Sequence, residues 1–353
     1  MFFNTNLTYP ILLIMSNGKR SFENMGRTIG KSGDTVRRML RSAQENHETL
    51  RVICKFFFKN AKQLFVVIDD TLIRKVSSHL MQGSGWHFDT KIGRSIIAFR
   101  LMVCLITDGK SALTIDSAYL FAKELIDLIK DQKFPSKNDI AKSMVLTAKK
   151  LFPRKRLTVV ADWLFATLEF VLWCKQHRIR LEVRMHSNRK VVYKNTELSV
   201  KELALRFNIV PNGRKMVRTV HVVWHGICLW LTVVRRINKH GIETIVFQAA
   251  TYKDKPIKHK LAYDKRWNIE KLFRTGKQAL GLSDCYSLKL TVQHSHVTSV
   301  LLASTLVQIE KKEKRFDKPE AAIRHLKTQN VSTVLNRFSP VNQIFRNLRG
   351  AHA

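Results

Sequence analysis

The stretch Leu261–Lys277, LAYDKRWNIEKLFRTGK, decides how the rest of the chain is read. Apart from Thr275 and Gly276 near its end, it has the composition of a helix. Tyr263, Arg266, Glu270 and Lys277 stand in it at offsets of 0, 3, 7 and 14. At about 100° per residue these fall within an arc of roughly 60°, one stripe of a four-turn helix. A phenol, a guanidinium, a carboxylate and an ammonium do not make a core. Leu261, Trp267, Ile269 and Leu272 flank the stripe and can anchor the helix while that face points into a cleft. As a solvated i,i+4 pair, Arg266 and Glu270 would be worth only about 0.2–0.5 kcal/mol. The meaning lies in the combination.

Upstream, two apolar runs end in carboxylates. LFVVID, inside Gln63–Asp70, is a continuous β-branched run of the kind found in a buried strand, and it stops at Asp69-Asp70-Thr71. LTVVAD, Leu157–Asp162, repeats the pattern. Between them the sequence predicts a strand over Ser95–Thr107, a turn at Asp108-Gly109, a returning strand over Ala112–Tyr119 and a helix over Asn138–Leu151. A helix over Trp163–His177 and a strand over Ile179–Arg184 follow, the alternation of an α/β core. From Met185 to Tyr252 the texture turns to short β-like runs. A long helix over Leu290–Glu310 precedes the charged run KKEKRFDKPE.

An Asp that closes a strand is ordinarily a turn former or a helix cap. Asp70, Asp162 and Glu270 converging in one place would instead repel one another without a cation. An all-oxygen donor set suits Mg²⁺, with Mn²⁺ as substitute. Two such ions about 3.5–4 Å apart activate an attacking oxygen and stabilise a leaving one at phosphorus. Arg266 can fork onto a phosphate, Lys277 can neutralise one, and Tyr263 can donate to its oxygen.

The spacing Tyr-x2-Arg-x3-Glu-x6-Lys, with the two strand-end aspartates, resembles the bacterial insertion-sequence transposases of the Asp-Asp-Glu (DDE) class. Within that class it is similar to the insertion-sequence-four-like group with the Tyr-Arg-Glu-Lys (YREK) signature. The resemblance spans roughly Leu64 to Glu310. It implies an α/β fold with a ribonuclease-H-like core, a mixed five-stranded sheet flanked by helices, interrupted by a β-rich insertion. The expected parts are a helical DNA-binding segment over 1–60, core over 61–184, insertion over 185–255, the rest of the core over 256–312 and a basic tail over 313–353. The implied function is metal-dependent cleavage of DNA at transposon ends and strand transfer into target DNA, by a homodimer in a synaptic complex. Asp70, Asp162 and Glu270 would be catalytic and hold two Mg²⁺ ions, and Tyr263, Arg266 and Lys277 would contact DNA phosphates. In the family's Asp-Asp-Thr motif the second Asp is commonly catalytic, which selects Asp70 and makes Asp69 a turn former or supporting group. Trp224 and Trp230 are available to grip a flipped base, although strand tryptophans are more often core. The alternative is a transposase-derived, sequence-specific DNA-binding protein whose catalysis is lost.

Composition agrees with a polyanion partner. Lys and Arg number 62 against 27 Asp and Glu in 353 residues, a net charge of +35, and the pI is near 10.4. So basic a chain repels itself unless it meets nucleic acid or another polyanion. The five cysteines are scattered without Cys-x-x-Cys spacing, which argues against a zinc site and for reduced thiols. The apolar start Tyr9–Met15 is too short to span a bilayer. The expectation is a cytoplasmic, nucleoid-associated protein with no membrane partner. Residues 20–50 read as two short helices around Gly-Lys-Ser-Gly, with Ser32 or Asp34 capping a second helix that bears Arg37, Arg38 and Arg41. That is either a helix-turn-helix or a plain helical hairpin.

Overall fold

The computed structural model describes residues 6–41, 46–75, 81–122, 134–211, 213, 215–238 and 240–341. The last twelve residues of the expected tail lie outside them. The carboxylate-tipped runs become the centre of one mixed sheet. β1 (Gln63–Arg74) is antiparallel to β3 (Arg94–Thr107) on one side and parallel to β5 (Arg156–Ala161) on the other. β4 (Ala112–Leu120) returns along β3 through the turn at Asp108-Gly109. There Asp108 Oδ1 accepts the amides of Lys110 and Ser111, and Gly109 adopts φ +97°, a conformation that glycine enters without a Cβ penalty. β6 (Arg180–Met185) lies parallel to β5. β2 (Gly85–Asp89) also pairs with β3.

The β-rich segment does not form a separate sheet. β11 (Glu243–Ala250) pairs antiparallel with β6, and β10 (Ile227–Ile237), β9 (Val217–Trp224), β7 (Lys190–Tyr193) and β8 (Thr196–Ser199) follow outward. Eleven described strands thus share one sheet, in the order β2-β3-β1-β5-β6-β11-β10-β9-β7-β8 with β4 on β3.

Seven described helices lie in the first two thirds of the chain. They are α1 (Thr8–Met15), α2 (Phe22–Thr28), α3 (Gly33–Arg41), α4 (Asn46–Phe57), α5 (Lys137–Leu151), α6 (Leu168–Gln176) and α7 (Val200–Arg206). Ser32 accepts the amide of Thr35 and so caps α3. Val36 and Leu40 of α3 are buried while Arg37, Arg38 and Arg41 face solvent. A capping box of Ser136 and Asp139 starts α5. The expected helix over Trp163–His177 is two pieces, because Asp162 caps a 3₁₀ turn at Trp163–Phe165 and Thr167 then caps α6.

The other helices are α8 (Pro256–Asp264), α9 (Trp267–Ala279), α10 (Leu290–Glu313), α11 (Pro319–Lys327) and α12 (Val331–Arg337). The charged run after residue 310 therefore leads into two folded helices. Every residue of α1 is buried, as expected of a helix that is apolar all round, and it packs on α10, α11 and α12. Tyr9 donates its hydroxyl to His296 Nδ1 at 2.7 Å, and the other ring nitrogen donates to the Gly281 carbonyl at 2.8 Å. Burial holds the His296 pKa down at about 4, so the ring is neutral. The N-terminal residues thus share a core with the C-terminal helices.

Candidate active site

The signature residues do not occupy one straight helix. The chain bends between Asp264 and Trp267, where the amides of Lys265, Arg266, Asn268 and Ile269 each bond three residues back. The 3₁₀ tightening places Tyr263 at the end of α8, Arg266 in the bend, and Glu270 and Lys277 on α9. The stripe survives because the overwinding is brief.

Arg266 is the hub. Its guanidinium pairs with Asp69 Oδ2 at 3.1 Å and with Glu270 Oε1, and it sits near the rings of Tyr263 and Trp267, about 6 Å from each centroid. The Tyr263 hydroxyl lies 3.5 Å from Asp162 Oδ1. Lys277 donates to Thr71 Oγ1 and to the Leu72 carbonyl, both at 2.8 Å. Asp69, Asp162, Glu270, Tyr263 and Arg266 are thereby brought together, with Lys277 further along β1.

Asp70 is not in this group. In the parallel pair, Ile68 stands opposite Ala161, so the next residues, Asp69 within β1 and Asp162 just past the end of β5, follow side by side. β1 runs on to Arg74, and the stop expected at Asp69-Asp70-Thr71 is not where the strand ends. Successive side chains on a strand point to opposite faces. Asp69 and Thr71 meet Arg266 and Lys277, whereas Asp70 turns to the other face, where Lys137 and Arg100 neutralise it. Of the two adjacent aspartates, the structure brings Asp69 beside Asp162 and Glu270 and leaves Asp70, the one the family motif prefers, on the opposite face.

The electrostatics match this placement. Burial, then the neighbouring charge of Asp70, pushes the Asp69 carboxyl up to about 7, against the pull of Arg266. Burial works against the charge of Arg266, but Tyr263, Glu270, Asp162 and Asp69 more than offset it and hold the guanidinium above its ordinary value. Burial also raises the Tyr263 phenol and lowers the Lys277 ammonium.

The donor set is all oxygen, which suits a hard divalent cation in kind. Among the described residues, however, no three Asp, Glu, His or Cys side chains stand close enough to hold an ion. Arg266 takes the place between Asp69 and Glu270. Asp69 is the residue the sequence names beside Asp70 and the family motif ranks second. One neighbour escapes a reading of the sequence: Arg184, exposed on β6, which acts electrostatically on the Tyr263 phenol. Only strand pairing could find Arg184. Trp224 is buried and belongs to the core, and Trp230 is partly buried beside His221.

A mixed sheet flanked by helices thus sets Asp69 of β1 beside Asp162, just past β5, with Arg266, Lys277 and Arg184 around them. Residues 60–306 match the transposase DDE domain, well over half of the chain, and the protein belongs to that family. It is thus a transposase by family, and membership implies DNA as partner. A search of curated proteins gives no significant match. Among solved structures, the crystal structure of the NurA nuclease from Sulfolobus solfataricus aligns with 76% of this chain and 92% of its own at 11% identity. Its TM-score of 0.28 is too low to carry any argument. Among the described residues no helix is long and apolar enough to cross a membrane.

Proposed function

We propose that this transposase cuts DNA at the ends of its element and joins them to a target, with Asp69, Asp162 and Glu270 as its acidic triad. The single observation that carries this reading is the clustering of Asp69, Glu270 and Asp162 around Arg266 and Tyr263 inside a transposase DDE domain. The run β4-β3-β1-β5-β6, three antiparallel strands followed by two parallel ones, supports a ribonuclease-H-like core. Tyr263, Arg266, Glu270 and Lys277 support membership of the YREK group.

Mg²⁺ or Mn²⁺ held by the three carboxylates would supply the activation of the attacking oxygen and the stabilisation of the leaving one. The chain's own residues do the rest. Arg266 keeps Asp69 and Glu270 from repelling one another in the resting protein, and its fork suits a phosphate equally well. Were it to pair with a DNA phosphate in place of Glu270 and Asp69, those carboxylates would be available as ligands. Tyr263 holds Asp162 in place, and Lys277 on α9 and Arg184 on β6 offer further cationic groups to the DNA backbone. Arg37, Arg38 and Arg41 of α3 supply a separate basic face for a helix-turn-helix, and the working form is a dimer that pairs two ends.

The test is a pair of substitutions in the full chain, assayed on end-bearing DNA with Mg²⁺. D69N should abolish nicking and D70N should leave most of it; the opposite result moves the first ligand to Asp70. The second reading is a DNA-binding descendant without catalysis. It is favoured by the Arg266 clamp and by the lack of a three-ligand group among the described residues. Metal-independent binding with no nicking by the unaltered protein would establish it.

A further inference from the structure

α9 has a second working face. Glu270 and Lys277 look toward β1, but Asn268, Lys271, Arg274 and Thr275, centred roughly 120° away around the helix axis, line a groove of about 960 Å³. Its other walls are the end of α10, the chain from Arg315 to Lys318 and the start of α11, with Lys110 of the β3–β4 turn at one side. The charged run to which the sequence assigns no role is therefore one wall of a concavity. Seven cations line it against two carboxylates, Asp317 and Glu320.

Among the described residues none of these seven forms an ion pair, whereas Arg266 at the acidic site, and Arg100 and Lys137 around Asp70 on the other face of β1, are all paired. Cations crowded in one hollow without counter-charges repel one another, and a phosphate chain relieves that repulsion. The groove contains one aromatic ring, Phe316. Single-strand sites are instead built on several rings on which bases stack. The chemistry is that of duplex backbone.

We propose that this groove binds the phosphate backbone of a second DNA duplex, separate from the one cut at the carboxylates, in the manner of a target site. This rests on the reading of the chain as a DNA-joining enzyme. A duplex with a persistence length of about 150 bp does not wrap around a single helix, so one segment cannot serve both faces of α9.

The experiment compares the full-length protein with K271A/R274A/R315A, and with K149A/K150A/R154A as an equal loss of charge at the exposed end of α5. Binding to a random-sequence duplex is followed across salt concentrations by anisotropy, and nicking and joining are assayed separately. Each phosphate that the protein no longer neutralises lowers the slope of log K against log salt by about 0.9. The groove variant should release two to three such phosphates and fall tenfold or more in joining, while nicking stays within a few-fold. The arginine–lysine exchange K271R/R274K/R315K should restore most of the slope. An unchanged slope in a folded groove variant, an equal fall in the α5 variant, or single strands competing as well as duplex would overturn the proposal. So would nicking that falls in step with joining. The slope is read without catalysis, so a protein that never nicks would sink the enzyme reading while leaving the groove's duplex binding to be judged separately.

Discussion

One helix, α8, reaches into two carboxylate clusters that differ in kind. Tyr263 touches Asp162, and His259, one turn earlier, touches Glu182. Around Glu182, His259 donates from Nδ1 at 2.5 Å and Tyr252 from its hydroxyl at 2.6 Å, while Arg180 stacks 3.4 Å from the Tyr252 centroid. His259 Nε2 accepts the Asp254 amide, which fixes the proton on Nδ1. Acid, phenol and guanidinium are thus common to both clusters. Glu182 and His259 are 0% exposed, so no substrate can enter, and their bonds tie β6 to the segment after β11. At the other cluster the Glu270 side chain is 34% exposed, and the cation at its centre is paired to Asp69 and Glu270. A buried acid with good partners is a fold device; on the proposed function, a partly exposed acid beside a basic side chain is where chemistry happens.

The strongest way to break that distinction is to remove one acid from each cluster. E270Q should lower nicking by about 10³-fold, the several kcal/mol of an absent metal ligand at 1.36 kcal/mol per tenfold, and leave the urea midpoint nearly unchanged. E182A should do the reverse. It strands the Tyr252 hydroxyl and the His259 N–H at about 1–3 kcal/mol each, with nicking per folded molecule intact. A large fall in stability for E270Q, or of specific activity for E182A, would erase the contrast.

A second measurement uses pH. The Asp69 pKa is about 7 in the folded protein and about 3.9 in an unfolded chain, so the native state binds more protons between these values. Stability in EDTA should therefore fall as pH rises from about 4 to about 7. Burial raises the Glu182 carboxyl too, and it contributes with the same sign. D69N should flatten the upper part of the curve; an unaltered curve would mean that Asp69 is not the perturbed acid. The smallest effect expected is between the two phenols. Y252F removes a bond to a buried carboxylate and should cost about 1 kcal/mol of stability. Y263F gives up only a 3.5 Å approach to Asp162 and should change nicking a few-fold with stability unmoved, as read by parallel melts and assays.

Local chemistry was legible. The β1, β3, β4, β5 and β6 strands, the Asp108-Gly109 turn and the α3 cap follow from runs, turn residues and capping side chains that act within a few residues. The composition of the acidic site was legible too, since Tyr263, Arg266, Glu270 and Lys277 keep their spacing through the bend. The choice between Asp69 and Asp70 was not. Residues 64–68 are buried on both faces of β1, so no polar alternation tells which face looks toward α9.

The sequence by itself determined the buried strands of the central sheet, that Asp69 and Asp162 would follow two of its apolar runs, and that so basic a chain suits a polyanion. Only the tertiary structure decided which aspartate faces Arg266, that the β-rich segment extends the same sheet, that α1 is core, and that KKEKRFDKPE walls a groove. Those outcomes depend on the phase of a pleat and on pairings between residues up to 287 positions apart, as between Tyr9 and His296. Contacts at that range are set by packing, and no local propensity encodes them.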